Sequence, residues 1–303
     1  MGPHRPTSKS SVFLREIRRE LAHGGAEFSP GDNPRFRVLV ANSRELRTAA
    51  WGLVYRSYLE RGYMTESELA MRILPQDALP EVSTFLAQQA PDWAPAATLT
   101  VVPDSPLGLP MDALYRRDLD TLRGPGRKPC EIAKLVMGEA GTGEDAKPDV
   151  ELLLALFRIA YITARYLEGC TDFVITVNPH HEKYYRRLMR FERLGEPRTY
   201  GSVRGAVAVP MRLDLLAAEA TYRQKADIKP TARSFYAYFL DEAQRPALLT
   251  WLRRERRVMP EADLRHFFAE RTSLLREMTA EQRMYLQGCY LHYDLDEDTQ
   301  LQG

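Results

Sequence analysis

Residues 173–191 read FVITVNPHHEKYYRRLMRF, and their types could do chemistry in three ways. His180, His181 and Glu182 are metal-ligating types, the paired Tyr184 and Tyr185 could move a proton, and the basic residues could hold an anion. The apolar run Phe173–Val177 predicts a strand that stops at Asn178-Pro179, and the residues that follow have helical spacing. His181, Tyr184, Tyr185 and Leu188 follow i, i+3, i+4, i+7. Lys183, Arg186, Arg187 and Arg190 repeat that spacing two residues later, about 200° around the helix. One stripe is aromatic and inward, the other basic and outward. The metal reading weakens on this geometry. Adjacent helical residues point about 100° apart, and helical zinc ligands stand at i and i+4, where the partner of His181 is Tyr185. No metal is expected. His181 is expected to be a half-buried, hydrogen-bonded histidine and His180 a first-turn or loop residue. At least one of the tyrosines is expected in the core.

The elements around this stretch must position it. The chain has 303 residues, 44% hydrophobic and 27% charged, with a net charge of +1, which suits a soluble globular protein and excludes nucleic acid as a partner of the chain as a whole. Cys130, Cys170 and Cys289 are odd in number and far apart, which fits a reducing compartment. The first residues lack the apolar centre of a signal peptide, and the most apolar segment, 150–167, contains Glu151, Arg158 and Arg165 and is shorter than a membrane span. The expectation is a cytoplasmic protein for which a membrane is not required.

Residues 1–34 are polar and predict a mobile arm. FRVLVA (36–41) predicts a strand, and Ser43 the cap of a helix whose Leu46, Ala49, Ala50, Leu53, Val54 and Ser57 form one buried side. Residues 61–95 read as irregular. ATLTVV (97–102) and CEIAKLVM (130–137) read as strands, 150–167 as a helix ended by Gly169, and 199–215 as two strand-like runs. The fold class is α/β with a mixed sheet flanked by helices, residues 35–216 forming the main domain. From 217 charged amphipathic helices take over as a C-terminal extension, with Pro260 at a helix start and Thr279–Gln282 as a capping box. Its aromatics, among them Phe235, Tyr236, Tyr238, Phe239, Phe267 and Phe268, predict that it packs on the rest rather than floats.

Asn178, Tyr185 and Phe191 after a strand resemble the last strand-helix unit of the GCN5-related N-acetyltransferase (GNAT) fold. VYRSYLERGYM, TLTVVPDSPLGLPMD, LDTLRGPGRKPCEIAKLVM and VNPHHEKYYRRLMRFERLGE stand in the order and spacing of the N-acyl amino acid synthases of the FeeM type, which are related to the LuxI-type acyl-homoserine-lactone synthases. The resemblance spans roughly residues 36–216.

It implies transfer of a long-chain acyl group from an acyl carrier protein thioester to the α-amine of an amino acid. No cofactor stays bound, and acyl-phosphopantetheine is the co-substrate. It also implies Glu131 as base or amine-orienting carboxylate and Tyr185 as acid for the departing thiolate. Lys134 would bind the acceptor's carboxylate, with Asn178, His181 and Tyr184 around the substrate. Two departures stand out. The acyl-CoA diphosphate loop is missing, and Glu139, Glu144 and Asp145 in its place would repel a diphosphate, which favours a carrier protein over acyl-CoA. Arg190 stands where a glycine is expected, at a turn that normally needs a left-handed residue. The outward stripe Lys183, Arg186, Arg187 and Arg190 would then dock the acidic carrier. The competing readings are an acyl-homoserine-lactone synthase and a non-catalytic module that binds acyl carrier protein.

Overall fold

The computed structural model describes residues 35–124, 126–138, 150–201, 205–228 and 242–293. The N-terminal arm, most of the acidic glycine loop, and Phe235, Tyr236, Tyr238 and Phe239 lie outside the described residues. Strand β1 (Phe36–Val40) leads to helix α1 (Arg44–Glu60). Ser43 caps α1 by accepting from the Leu46 N–H, as the sequence predicts. Strands β2 (Ser83–Gln89) and β3 (Ala94–Pro103), helix α2 (Asp112–Leu122), strand β4 (Pro129–Met137), helix α3 (Val150–Ile162), strand β5 (Asp172–Val177) and helix α4 (Pro179–Leu188) follow. Then come the short β6 (Glu192–Arg193) and β7 (Arg198–Tyr200), the long β8 (Ala206–Asp214) and helix α5 (Leu215–Ile228). The described end of the chain is helical: α6 (Arg245–Glu255), α7 (Glu261–Arg265), α8 (Leu274–Glu277) and α9 (Ala280–Cys289).

Among the described residues the strands form one mixed sheet in the order β1-β2-β3-β4-β5-β8-β6, with β7 on β8. Neighbours run antiparallel except β4 and β5, which are parallel. Two elements were not read from sequence. Strand β2 falls in the stretch read as irregular; it has no alternation because both its faces are covered. Helix α2 buries Tyr115, Leu119 and Leu122, an i, i+4, i+7 pattern that the neighbouring Pro and Gly obscured.

One face of the sheet packs on α3. Its Leu152–Ile162 stretch is buried throughout, because α6 adds Leu248 and Leu252 to the same apolar cluster. That second cover explains why the most apolar segment of the chain is a core helix; among the described residues no helix is long and apolar enough to cross a membrane. A turn with a wider backbone spacing, Thr163–Leu167, follows α3, and Gly169, at φ +67°, ends it.

The other face carries α1, α2 and the last helices, α7–α9. The buried side of α1 is rotated from the expected one: Arg47 and Trp51 point in, while Leu46, Ala49 and Leu53 are half-buried. Partners remote in sequence cause the rotation. Arg47 meets Asp263 at 3.3 Å, and Trp51 meets the edges of Phe267 and Phe268 at 4.9 and 6.4 Å between ring centres. Leu264, Phe267, Phe268, Leu275 and Leu286 are buried in a cluster shared with Trp51, Met71, Ile73 and Leu107. Thr279 and Gln282 form the expected capping box of α9.

Each of those buried side chains stabilises the fold by about 1.5–3 kcal/mol, more in sum than a domain of this size has to spare. Truncation after residue 216 is therefore expected to give aggregated protein or no cooperative melting transition, read by size exclusion and calorimetry. A monomeric, fully active truncation would contradict the shared core.

Candidate acyl-transfer site

The site begins with how β4 leaves β5. The two strands pair at Pro129–Asp172, Cys130–Phe173 and Glu131–Val174, and both continue beyond that point, β4 to Met137 and β5 to Val177. On its other edge β4 stays with β3 as far as Met137. Its register there shifts between Thr98–Val136 and Thr100–Ala133, so Lys134 and Leu135 stand opposite Leu99 alone. This is a β-bulge, and Lys134 adopts φ +53° in it. The bulge turns β4 away from β5 and opens the sheet in its middle. At the closed end, buried Asp172 accepts from Arg212 at 2.7 Å and from Arg127 at 3.3 Å. The ladder is thus tied below Glu131 and parted above it.

Glu131 is the last paired residue before the opening and is 4% exposed. Its Oε2 accepts the Met111 N–H at 2.7 Å, at the start of α2. Burial pushes its pKa up to about 8, against the Met111 hydrogen bond, which lowers it; Asp112 adds to the rise. The loop that supplies Met111 is pinned. Arg123 bridges Asp104 at 2.7 Å and Asp112 at 2.6 Å, and Asp112 accepts the Leu109 N–H at 2.6 Å. Gly108 is required there. Its φ is +70°, and a Cβ would lie 2.8 Å from the Asp112 carboxylate. Tyr200 closes the near side by donating to the Pro110 carbonyl at 3.0 Å.

The charge of Glu131 reaches Tyr58 and Tyr200, whose hydroxyl pKa values are raised mainly by burial, and the charge of Arg72 reaches the same two rings with opposite sign. Arg72 is half-buried and has no carboxylate partner among the described residues. It was not singled out from the sequence, since it lies in an irregular stretch with no spacing to mark it. Lys134 is placed differently from the expected binder of the acceptor's carboxylate. It is neither at the surface nor open to a ligand: its ammonium is paired with Asp77, the two side chains 3% and 2% exposed, and it lies 5.4 Å over the Trp51 ring. Burial lowers its pKa and Asp77 opposes that.

Tyr184 and Tyr185 lie on the opposite face of the sheet from Glu131, in the cluster around α3. Tyr185 meets Phe157, Tyr184 and Phe191 edge-on at 6.3, 5.1 and 5.6 Å, and burial raises its pKa. Glu131 and Tyr185 are therefore not hydrogen-bonded neighbours; the gap between β4 and β5 is what separates them. Asn178 caps α4, accepting the His180 N–H at 3.0 Å. His181 is exposed rather than half-buried, because the capped helix starts at Pro179 and leaves its first turn beyond the sheet. Lys183, Arg186 and Arg187 are exposed on the outer side of α4, and Arg190 is exposed just after its end. Arg190 takes φ +64°, so the left-handed turn is kept without glycine. Phe191 is buried after it, and its N–H donates to the Tyr185 carbonyl at 3.1 Å. Among the described residues, no three His, Cys, Asp or Glu side chains gather as a metal site.

Comparison with known proteins gives this geometry a family. No curated protein matches the chain. Among solved structures, FeeM, an N-acyl amino acid synthase from uncultured soil microbes, is 24% identical and superposes with a TM-score of 0.53, over 68% of this chain and 100% of its own. At that identity the likeness shows the fold. The acyl-homoserine-lactone synthase LasI is 17% identical over 60% of this chain and 91% of its own, TM-score 0.44. The CoA-dependent acyl-homoserine lactone synthase MesI is 14% identical over 63% and 94%, TM-score 0.42. The family model of the N-acyl amino acid synthase FeeM matches residues 49–214, more than half of the chain, from within α1 to the end of β8 and including the opened pair β4 and β5. The chain belongs to the FeeM family of N-acyl amino acid synthases and is an acyltransferase with a GNAT-like fold.

Proposed function

We propose that this acyltransferase moves a long-chain acyl group from an acyl carrier protein thioester to the α-amine of an amino acid. The observation that supports it most is Glu131, a buried carboxylate at the throat of the opened sheet with a pKa near 8. A base for an amine works best when its pKa lies near the working pH. The acceptor nitrogen attacks the thioester carbonyl carbon and passes a proton to Glu131. The C–S bond then breaks, and the thiolate takes a proton from Tyr185, whose burial keeps its hydroxyl protonated. A thioester threaded between β4 and β5 meets its amine on the Glu131 face and releases its sulfur toward the Tyr185 face, which suits two groups on opposite sides of one sheet. Because Asp77 occupies Lys134, Arg72 is assigned the acceptor's carboxylate, and Lys134 a positioning role at the bulge. Asn178 and Tyr184 hold α4 and the Tyr185 ring, and His181 stands at the outer mouth. The four exposed cations on and just after α4 favour an acidic carrier protein as donor over acyl-CoA. Incubation with a panel of acyl carrier thioesters, acyl-CoA and amino acids, read by mass, tests this. An acyl lactone product, or transfer from acyl-CoA alone, would refute it.

Glu131→Gln is expected to lower kcat/KM at least tenfold, since a positioned base contributes about 10²-fold or more, and to remove the rise in wild-type activity toward pH 8. Stability carries the same signature. A carboxyl whose folded pKa is raised from 4.5 to about 8 binds its proton more tightly in the native state. Native stability is thus favoured at low pH and declines as pH climbs through that window. Glutamine keeps the Met111 hydrogen bond without the charge, so the variant's melting temperature should gain on the wild type between these two pH values. A constant difference would mean that Glu131 is not buried as described.

Arg72→Met should raise the acceptor KM about tenfold or more, the worth of a charge-assisted hydrogen bond, and leave the donor KM unchanged. Arg186→Glu with Arg187→Glu should raise the carrier protein KM strongly and flatten its salt dependence, with the amino acid KM little changed. An unaltered carrier KM at low salt would move the docking surface elsewhere; the basic 253–257 segment is the next candidate.

A further inference from the structure

A second polar site lies away from Glu131, where the family core meets the C-terminal extension. A pocket of about 40 Å³ is lined by Arg47 and Trp51 of α1, Asp77, Ser83 of β2, and Arg256 and Arg257 just after α6. A cavity needs roughly 10–15 Å³ to admit one water, so this one has room for more than that. Three polar atoms of its lining residues are buried without a hydrogen-bond partner among the described residues: Trp51 Nε1, Ser83 Oγ and Arg256 Nε. Trp51 and Ser83 are 1% and 2% exposed. A buried polar atom left unpaired costs about 1–3 kcal/mol, and three in one pocket point to something that pairs them.

The donor set says what kind of group that is. An indole N–H and a guanidinium N–H can only donate, and a serine hydroxyl can also donate. A group that pairs them must therefore accept hydrogen bonds. The charge agrees. Asp77 is the lining carboxylate, and it is held by Lys134. The three arginines are only partly neutralised: Arg47 shares Asp263 with Arg44, Arg256 pairs with Glu168 at 2.6 Å, and Arg257 has no carboxylate partner among the described residues. Water could accept these bonds but would leave the arginine charge unmatched; a small anion has both the acceptors and the charge.

We propose that this pocket binds a small monovalent anion of the carboxylate or halide class, which joins the extension to the core. Arg256 and Arg257 lie beyond residue 214, where the family match ends, so the site is a property of this chain's extension. Its occupancy also bears on β4, because Asp77 lines the pocket and holds Lys134 at the bulge.

The test uses the full chain in a buffer whose anion is too bulky for the pocket. Sodium formate, sodium chloride and sodium phosphate are titrated at constant ionic strength while the melting temperature is recorded. A saturable rise with formate or with chloride is expected, and the two arms tell a carboxylate from a halide. Ser83→Ala, which removes a single oxygen, and Trp51→Phe, which removes the indole N–H, should each weaken the apparent affinity at least fivefold. Ser83→Ala keeps the test valid if Trp51→Phe does not fold. No saturable rise, a rise with phosphate alone, or an affinity unchanged in Ser83→Ala would overturn the proposal and leave the pocket to water. The readout is stability, so it stands or falls separately from the acyl-transfer reaction.

Discussion

A central strand normally keeps both of its neighbours, because each unpaired backbone group in a protein interior carries a desolvation cost. β4 gives up β5 after Glu131, and the rest of the molecule is arranged around that loss. The bulge opposite Leu99 turns the strand, and it does so with a non-glycine residue at positive φ, a conformation that costs an ordinary side chain about 1–2 kcal/mol. Lys134 bears that cost because its side chain is fixed on two sides, by Asp77 and by the Trp51 ring. Trp51 is in turn fixed by Phe267 and Phe268. The opening of the sheet thus rests on a stack that starts in the C-terminal extension and ends at the bulge.

The raised pKa values of Glu131 and Tyr185 follow from this arrangement without any unusual side chain. A glutamate at the last paired position of an opened ladder is surrounded by protein on three sides, so its charge is disfavoured, and one backbone N–H is too little to restore a normal pKa. The buried tyrosine across the gap is also held in its neutral form. One fold property, burial next to an opening, raises the pKa of both the carboxyl and the phenol.

Much of this was legible in the sequence. The strand composition of 130–137 and 173–177, the helix after Asn178 and its two stripes, the Ser43 and Thr279 caps and the core character of 150–167 are all local patterns, and the structure has them. What the sequence could not show is what remote partners decide. The inward turn of Arg47 and Trp51 depends on residues of the extension. The burial of Lys134 depends on Asp77, and the standing of Arg72 near Glu131 depends on a stretch with no periodicity. His181 was misplaced because helical spacing says which residues share a face but not where along its length the helix leaves the sheet. β2 was missed because a strand covered on both faces loses its alternation.

The shared core of the extension also bears on how the chain reaches its native state. The Tyr290 hydroxyl donates to the Ala78 carbonyl at 2.7 Å across 212 residues of sequence, and Trp51, near the start of the described chain, finds its ring partners close to the end. Contacts this distant make for slow folding, because the intervening chain must be ordered before they form. During synthesis α1 and the sheet emerge with the Trp51 face uncovered, and they stay so until the last helices leave the ribosome. The apolar surface that later supports the bulge is for that interval a sticky one, so the yield of folded protein depends on how soon the last helices cover it.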